Sequence, residues 1–468
     1  MFKIFNLYIP ARATLELLID MVISALSFSL ATWTVYLITT GQQGFSYWAG
    51  QAIYPLILYV ALNAILYTAL GVYRIEAENS LKDFLGRTSV AFAFTFFPVY
   101  WFTLMFTEAG SSFRVLGFAY LFQMGFLIFI RYILLRQSVL SSMTRKILIV
   151  GNGREAQALA RQIIERHSSA YSISGFYPTE RADQNAIQLP GKVFDSSMSL
   201  EQVVLDTKVD EIIVAVKEHR GGVLPIRQLL ECRILGTPVH NLTTFYERLK
   251  GEVPLESMKA SWLIYGTGFT QGHLRSLAKR LFDIFSAGIL LLLLWPIMLL
   301  AALAIKIEDR GPVFFQQERV GLFGKTFLCL KFRSMRTDAE KDGVARWAST
   351  NDSRITRVGS FIRKTRIDEL PQLINVLRGE MSMVGPRPER PTFVDMLEKD
   401  IPFYAIRHSV KPGVTGWAQV RYAYGASIED AKRKLQFDLY YVKNNSVFLD
   451  FFILFETVRV VIFGEGAR

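Results

Sequence analysis

The chain has 468 residues, of which 51% are hydrophobic, a mean hydropathy of +0.25 and a formal charge of +12. That is too apolar for an ordinary soluble enzyme, and it implies membrane spans and two or more domains, with basic loops facing anionic lipid. No zinc pattern or RNA-binding motif accompanies the charge, which argues against nucleic acid, and Cys232 and Cys329 sit in neither a CxxC nor a Cys–His cluster, which argues against a disulfide framework or structural zinc.

Four apolar segments come first: Leu15–Leu37, Tyr47–Tyr73, Val90–Phe106 and Val115–Leu135. Each approaches or exceeds the roughly 20 residues of a spanning helix. The third is the shortest and contains Pro98. The first is long and lacks a small-residue cleavage pattern, so no cleavable signal is expected. Lys3 and Arg12 precede the first segment, and Thr39–Ser46 carries no charge. Arg74, Lys82 and Arg87 separate the second from the third, Arg114 alone lies before the fourth, and Arg136, Arg145 and Lys146 follow it. The positive-inside tendency then places the N-terminus, the second loop and everything after residue 140 in the cytoplasm. Trp33, Trp48 and Trp101 suit interfacial anchors and ligand contacts equally well. With almost no charge inside the segments, the bundle reads as an anchor rather than a transporter.

Residues 141–255 carry an α/β pattern with a parallel sheet. Lys146–Val150 reads as a buried strand running into Gly151-Asn-Gly153-Arg-Glu-Ala156 and then a helix, the context of a dinucleotide turn. Ser172–Tyr177, Glu211–Val216 and Thr237–Leu242 are further strand-like runs. No acidic residue closes a second strand about 20 residues on, where a ribose would need it. The expectation is a Rossmann-like domain that keeps the tight turn without nucleotide chemistry. Tyr246 and Lys250 have the spacing of a reductase pair, but that spacing also arises on any helix face.

Ile284–Ile305 is an uncharged apolar run with Pro296 at its middle. Its flanks are basic on both sides, Lys279 and Arg280 before and Lys306 and Arg310 after. A proline there favours a kink, and two basic flanks favour a re-entrant helix, about 281–306, over a crossing. Asp283 at its edge needs a partner, and Lys279 or Arg280 is the expected one.

The last third holds the chemistry. Gly311-Pro-Val-Phe-Phe-Gln-Gln-Glu-Arg-Val-Gly321 and Gly324–Phe327 precede Lys331-Phe-Arg333-Ser-Met335, a plausible phosphate-facing surface. Then comes Arg363-Lys-Thr-Arg366-Ile-Asp368-Glu369-Leu-Pro371, followed by Gly385-Pro386-Arg387-Pro388-Glu389. An adjacent acid pair ringed by arginines suits metal-assisted work on phosphate. The bland alternative is a helix cap at Asp368 and a surface ion pair between Glu369 and Arg366. Pro371 suits the first turn of a helix, whose start would lie beside the acid pair.

The succession GPVFFQQERVG, KFRSM, RKTRIDELPQL, GEMSMVGPRPE and KPGVTGW resembles the bacterial sugar transferase domain, the catalytic module of monotopic phosphoglycosyl transferases. With four spans and a Rossmann-like, CoA-binding-like domain in front, the chain resembles the long form of that family. The fold class implied is a membrane protein with an N-terminal four-helix transmembrane bundle (1–140), an α/β Rossmann-like middle domain (141–255) and an α/β monotopic catalytic domain (275–468) with a re-entrant membrane helix broken at Pro296. Trp295 departs from the serine that relatives often have there.

The resemblance implies transfer of a sugar 1-phosphate from a nucleoside diphosphate sugar, a UDP-hexose, to polyprenyl phosphate, the first membrane step of exopolysaccharide or O-antigen assembly. It implies Asp368 as nucleophile and Glu369 as ligand of Mg2+. Arg363, Arg366, Lys331 and Arg333 would meet phosphate, Pro386-Arg387-Pro388 the nucleotide, and Lys279 and Arg280 the lipid phosphate. The setting implied is the bacterial inner membrane, with catalysis on the cytoplasmic side and a homodimer as assembly. A membrane-anchored nucleotide-binding regulator of polysaccharide export is the competing reading; a nucleotide-sugar dehydratase would need a second glycine motif that residues 275–468 lack.

Overall fold

The computed structural model describes residues 2–4, 7–9, 11–39, 45–70, 72, 81–106, 109–136, 144–166, 171–179, 191–195, 197–216, 224–255, 272–339, 352, 354–422, 425 and 427–463. Arg74, most of the uncharged loop at 39–46 and the side chains of Lys3, Arg12, Trp48, Lys82 and Arg136 lie outside the described residues. The chain divides into two compact units, Tyr8–Phe245 and Tyr246–Arg468, with Lys3–Leu7 grouped with the second.

The first unit begins with helices α1 (Ala11–Thr39), α2 (Phe45–Ala69), α3 (Leu81–Thr103) and α4 (Ala109–Arg136). Phe28, Tyr59, Val99 and Leu116, one from each, share a core. Leu18, Val22, Leu26, Phe97 and Leu121 point outward and are exposed, as expected of helices facing lipid. Thr14–Ile38 and Gly110–Ile130 are long and apolar enough to cross a membrane, whereas Ala52–Thr68 in α2 is shorter. The third helix starts at Leu81, earlier than its apolar run, because Lys82 and Arg87 are good helix formers and an acidic residue such as Asp83 suits the first turn.

The interior is more polar than the sequence suggested. Glu16 and Asp20 are buried on α1 along with Ser24 and Ser27. Gln123 accepts from the Tyr59 hydroxyl and donates to Ser24 Oγ at 2.7 Å and Tyr67 Oη at 3.0 Å. These bonds link α1, α2 and α4 inside the bundle.

The same unit holds a parallel sheet of β3 (Arg145–Val150), β4 (Tyr171–Tyr177), β5 (Glu211–Val214) and β6 (Val239–Asn241), in the order β4-β3-β5-β6. (β1 and β2 are the short N-terminal strands Phe2–Ile4 and Leu7–Ile9.) Helices α5 (Arg154–Arg166), α6 (Leu200–Thr207) and α7 (Ile226–Ile234) accompany it. Gly151 has φ +121, and a Cβ there would lie 2.7 Å from the Ala215 carbonyl oxygen. The tight turn therefore serves close approach of the strand ends.

The second unit starts at Tyr246, ahead of the boundary at 255 read from sequence. The reason is packing. Val253 is buried in the catalytic core, its N–H donates to Gln436 O at 3.0 Å, and the Trp417 indole donates to Gly251 O at 2.6 Å. In α8 (Leu242–Lys250), Lys250 Nζ lies over the Tyr246 ring, 5.0 Å from its centroid, so the pair read as reductase-like packs by cation–π contact.

Helix α9 runs from His273 to Asp309, longer at both ends than the stretch read from sequence, and the break expected at Pro296 is not there: the proline sits inside one continuous helix. Its middle is exposed at Leu292, Leu293, Trp295, Leu299 and Leu300. Both ends are held by the second unit. Near the start, Asp283 accepts from Ser382 Oγ at 2.9 Å and Met383 N at 3.0 Å, instead of pairing with Lys279 or Arg280. Near the finish, Ala301 and Ile305 pack on Phe332 and Ile362, and Glu308 accepts from Arg357 N at 2.8 Å.

The hairpin β7 (Phe314–Val320) and β8 (Thr326–Phe332) follows, then α10 (Arg357–Lys364), α11 (Gln372–Arg378), β9 (Ser382–Val384) and α12 (Pro391–Asp400). Strand β10 (Gly413–Thr415) pairs parallel with β9, and α13 (Trp417–Arg421), α14 (Ile428–Asn444) and α15 (Val447–Phe463) complete the unit. Leu373, Val376, Met383, Leu397, Trp417, Leu439 and Ile453 form its core.

Candidate active site

The acid pair sits in a single 3-10 turn, Ile367–Glu369, between α10 and α11. Arg366 enters the turn with φ +60, the left-handed region that a non-glycine residue occupies at a cost of about 1–3 kcal/mol. That reversal turns both carboxylates inward, and Asp368 and Glu369 are each buried. Pro371, at φ −60, then opens α11. Asn375 on α11 accepts from Leu330 N at 3.0 Å and donates to Leu328 O at 2.8 Å, which clamps the helix to β8.

Strand β8 delivers Lys331, whose Nζ is 3.3 Å from Glu369 Oε1. Arg387 approaches the same carboxylate, with Nη2 2.5 Å from Oε1 and Nη1 3.4 Å from Oε2. Glu369 thus pairs with Lys331 and Arg387, in a buried site, and not with Arg366 on the surface. Arg366 is exposed and Arg363 half-buried; both contribute charge, Arg366 toward Glu369 and Arg363 toward Asp368.

The Gly385–Pro388 turn is fixed by backbone contact. Gly385 N donates to Thr415 O at 2.9 Å and Gly413 N to Pro386 O at 3.0 Å. A Cβ on Gly385 would strike the Lys411 carbonyl, and one on Gly416 would strike Gly385 O. Buried Arg407 donates to Arg387 O at 2.9 Å while paired with Asp438 at 2.8 Å. From the other side, Arg319 donates to Pro388 O at 3.1 Å. Arg387 therefore projects from a turn held at both prolines. Sequence reading missed Arg319, Asn375, Arg407 and Asp438, which act across the fold and have no local motif.

Two candidates stand elsewhere. Arg333 ion-pairs Asp309 and braces the end of α9 instead of joining the phosphate-facing set. Lys279, expected at lipid phosphate, gives its ammonium to Asp450 at 2.6 Å, Tyr441 Oη at 3.0 Å and Val384 O at 3.1 Å. These bonds satisfy its three donors.

Electrostatics separate the two acids. Burial, then the charge of Glu369, pushes the Asp368 carboxyl up to about 6, although Lys331, Arg387 and Arg363 pull the other way. Burial also disfavours the Glu369 charge, but Arg387 and Lys331 outweigh it and hold that carboxyl well below the usual range. One acid is a fixed anion; the other titrates near neutrality in a dry, cation-lined site, the arrangement expected of reactive carboxylates.

Among the described residues no group of three or more acidic, His or Cys side chains gathers as a resident metal site. The adjacent pair does fit magnesium that arrives on a diphosphate, since that ion takes one or two carboxylates with phosphate oxygens and waters. Glu369 would share its oxygens between the ion and its two cations.

Residues 274–464 match the bacterial sugar transferase family, and residues 68–226 match a CoA-binding domain. A UDP-N-acetylgalactosamine-undecaprenyl-phosphate N-acetylgalactosaminephosphotransferase of Aeromonas hydrophila is 44% identical over 52% of this chain and 56% of its own length. An undecaprenyl-phosphate glucose phosphotransferase of Komagataeibacter xylinus is 35% identical over 72% of this chain and 62% of its own length. A UDP-glucose:undecaprenyl-phosphate glucose-1-phosphate transferase of Escherichia coli K12 is 35% identical over 67% of each chain. The chain thus spans somewhat over half the length of the first two of these relatives. With the acid pair, the Lys331 strand and the Arg387 turn gathered inside the matched region, the chain belongs to the bacterial sugar transferase family.

Proposed function

We propose that this chain transfers a sugar 1-phosphate from a nucleoside diphosphate sugar, a UDP-hexose, to polyprenyl phosphate by way of a covalent aspartyl intermediate. The observation that carries this reading is Asp368, a buried carboxylate raised to about 6 and set beside Glu369, Lys331 and Arg387. At neutral pH it is ionised, and its burial strips the water that would otherwise blunt a weak nucleophile.

Asp368 Oδ attacks the sugar-proximal phosphorus. The bond from that phosphorus to the nucleoside monophosphate breaks, the monophosphate leaves with the electron pair, and an acyl phosphate to the sugar remains. An oxygen of the lipid phosphate then attacks the same phosphorus. The aspartyl bond breaks, regenerating the carboxylate and giving a lipid diphosphate sugar. Lys331 and Arg387 offset the charge that builds on the phosphoryl oxygens, and Arg363 adds to it from the edge. Arg387 also holds the nucleotide from its proline-flanked turn. Magnesium held by Glu369 and the diphosphate would neutralise the leaving group's charge.

The names of the relatives, which pair UDP sugars with undecaprenyl phosphate, support donor and acceptor. The exposed apolar middle of α9, between two ends held by one unit, supports a re-entrant helix that seats the acid pair at the cytoplasmic face of the inner membrane. Bundle and homodimer would anchor it there.

The test is Asp368→Asn assayed with labelled UDP-hexose and polyprenyl phosphate. Loss of product by about a thousandfold or more, equal to about 4 kcal/mol in the barrier, is expected. Product at the wild-type rate sinks the assignment.

A further inference from the structure

Glu369 is held by two cations that reach it from different elements, Lys331 on β8 and Arg387 on the turn after β9. Each of these elements is fastened to a different end of α9. At the start of the helix, Asp283 is buried and accepts from Ser382 Oγ at 2.9 Å and Met383 N at 3.0 Å, both on β9. Lys279, one turn earlier, donates to Val384 O at 3.1 Å. Val384 runs directly into Gly385-Pro386-Arg387. At the finish, Asp309 pairs with Arg333, two residues beyond Lys331. Arg333 is buried, and a Cβ on Gly311 would strike its guanidinium, so the chain leaving α9 passes directly against it.

The finish of α9 also holds the acids. Ala301 and Ile305 share a cluster with Phe332 of β8, Ile362 of α10 and Ile367 of the acid-bearing turn. Glu308 accepts from Arg357 N at 2.8 Å and Val358 N at 3.2 Å, which fixes the first turn of α10. Arg280, expected from the sequence at lipid phosphate, donates to Val376 O at 2.6 Å and Leu377 O at 2.7 Å, at the end of α11 remote from the acid pair. Those bonds dock the start of α9 on α11 independently of β9.

We propose that α9 is part of the framework of the active site, with Asp283 and Arg333 as positioning residues: Asp283 sets the Arg387 turn through β9, and Arg333 sets Lys331 through β8. The proposal rests on the transferase reading and names what places its two cations. The two ends then govern different parameters. The start places the group that holds the nucleotide. The finish places the charge that offsets the phosphoryl oxygens, beside the turn that carries the nucleophile.

The test follows release of nucleoside monophosphate from labelled UDP-hexose by the full chain in nanodiscs, with magnesium and without acceptor. The burst amplitude counts active enzyme, the limiting rate constant reports the attack, and the half-saturating concentration reports donor binding. Asp283→Leu should raise half-saturating UDP-hexose about fivefold or more, at a rate constant within about twofold of wild type, and Asp283→Asn, which still accepts both bonds, should restore it. Arg333→Met should lower the rate constant about tenfold, with half-saturation within about twofold, and Arg333→Lys should recover most of the loss. Where either variant folds poorly, Ser382→Ala and Asp309→Asn weaken the same two ties and must show the same split. Both variants changing the same parameter, or losing burst amplitude alone, would overturn the proposal. Equilibrium binding of UDP checks the start of the helix without turnover: it weakens in Asp283→Leu and holds in Arg333→Met. A wild type that binds UDP but releases no monophosphate would count against the transferase reading instead, and UDP binding would then decide whether Asp283 sets the Arg387 turn.

Discussion

Replacing Asp368 by asparagine removes the proposed nucleophile and also a buried charge held against its environment. The carboxyl is raised from 3.8 to about 6, roughly two pH units, and each unit corresponds to about 1.36 kcal/mol. A carboxyl whose folded value is raised lends stability that is fully present below about 3.8 and is lost as pH rises through about 6. Wild type therefore forfeits up to about 3 kcal/mol at pH 8, about half of that at pH 5 and little near pH 4. The asparagine variant keeps the shape and forfeits none of it. For a unit the size of Tyr246–Arg468 this corresponds to a rise in Tm on the order of 6–12 °C at pH 8. Thermal unfolding of both proteins in nanodiscs at pH 4.5 and pH 8, followed by circular dichroism, measures it. An inactive variant that melts higher, with a gain that grows with pH, is expected. A lower melting temperature at pH 8, or a difference independent of pH, would refute the reasoning.

Four further outcomes follow from the same geometry. Because only ionised Asp368 can attack, kcat/KM for the nucleotide sugar should fall tenfold per pH unit below about 6, and a profile flat to pH 5 would exclude Asp368 as the titrating group. Glu369→Gln should weaken magnesium dependence and nucleotide-sugar turnover together, whereas an unchanged magnesium titration would remove its metal role. Arg407→Leu leaves Asp438 buried without its cation, so a loss of about 3–5 kcal/mol in denaturant unfolding is expected. Asn375→Leu strands the Leu328 and Leu330 backbone groups of β8 and should cost about 1–3 kcal/mol, with KM for the nucleotide sugar rising as Lys331 loses its footing.

The parts of the site that were legible in the sequence are those written locally. Asp368 and Glu369 are adjacent, Lys331 lies in a strand-like run, and Arg387 stands between two prolines, so each carries its own signal. The supports do not. Arg407 reads as a solvated basic residue until α14 brings Asp438 to it. Asn375 is one polar position in an apolar helix, and its task appears only when β8 lies alongside. Gly385, Gly413 and Gly416 suggest turns, whereas the structure uses them to let two backbones touch. Lys279 misled for a related reason: a lysine at the edge of an apolar run suits lipid phosphate, but Asp450 arrives from 171 positions away. The parallel sheet followed from strand-like runs alternating with helical stretches, while its strand order and the boundary at Tyr246 depended on contacts, such as those of Val253 and Gly251, that no composition shift marks.

The central claim is that Asp368 carries the sugar phosphate. The most direct measurement incubates the full chain with UDP-hexose and magnesium in the absence of acceptor, quenches it in acid, and maps peptides by mass spectrometry. The account predicts a hexose-phosphate adduct on the peptide bearing Asp368, formed with one equivalent of released nucleoside monophosphate and discharged by adding polyprenyl phosphate. An adduct on another residue, or product formation with no adduct and no release before acceptor is added, would contradict it.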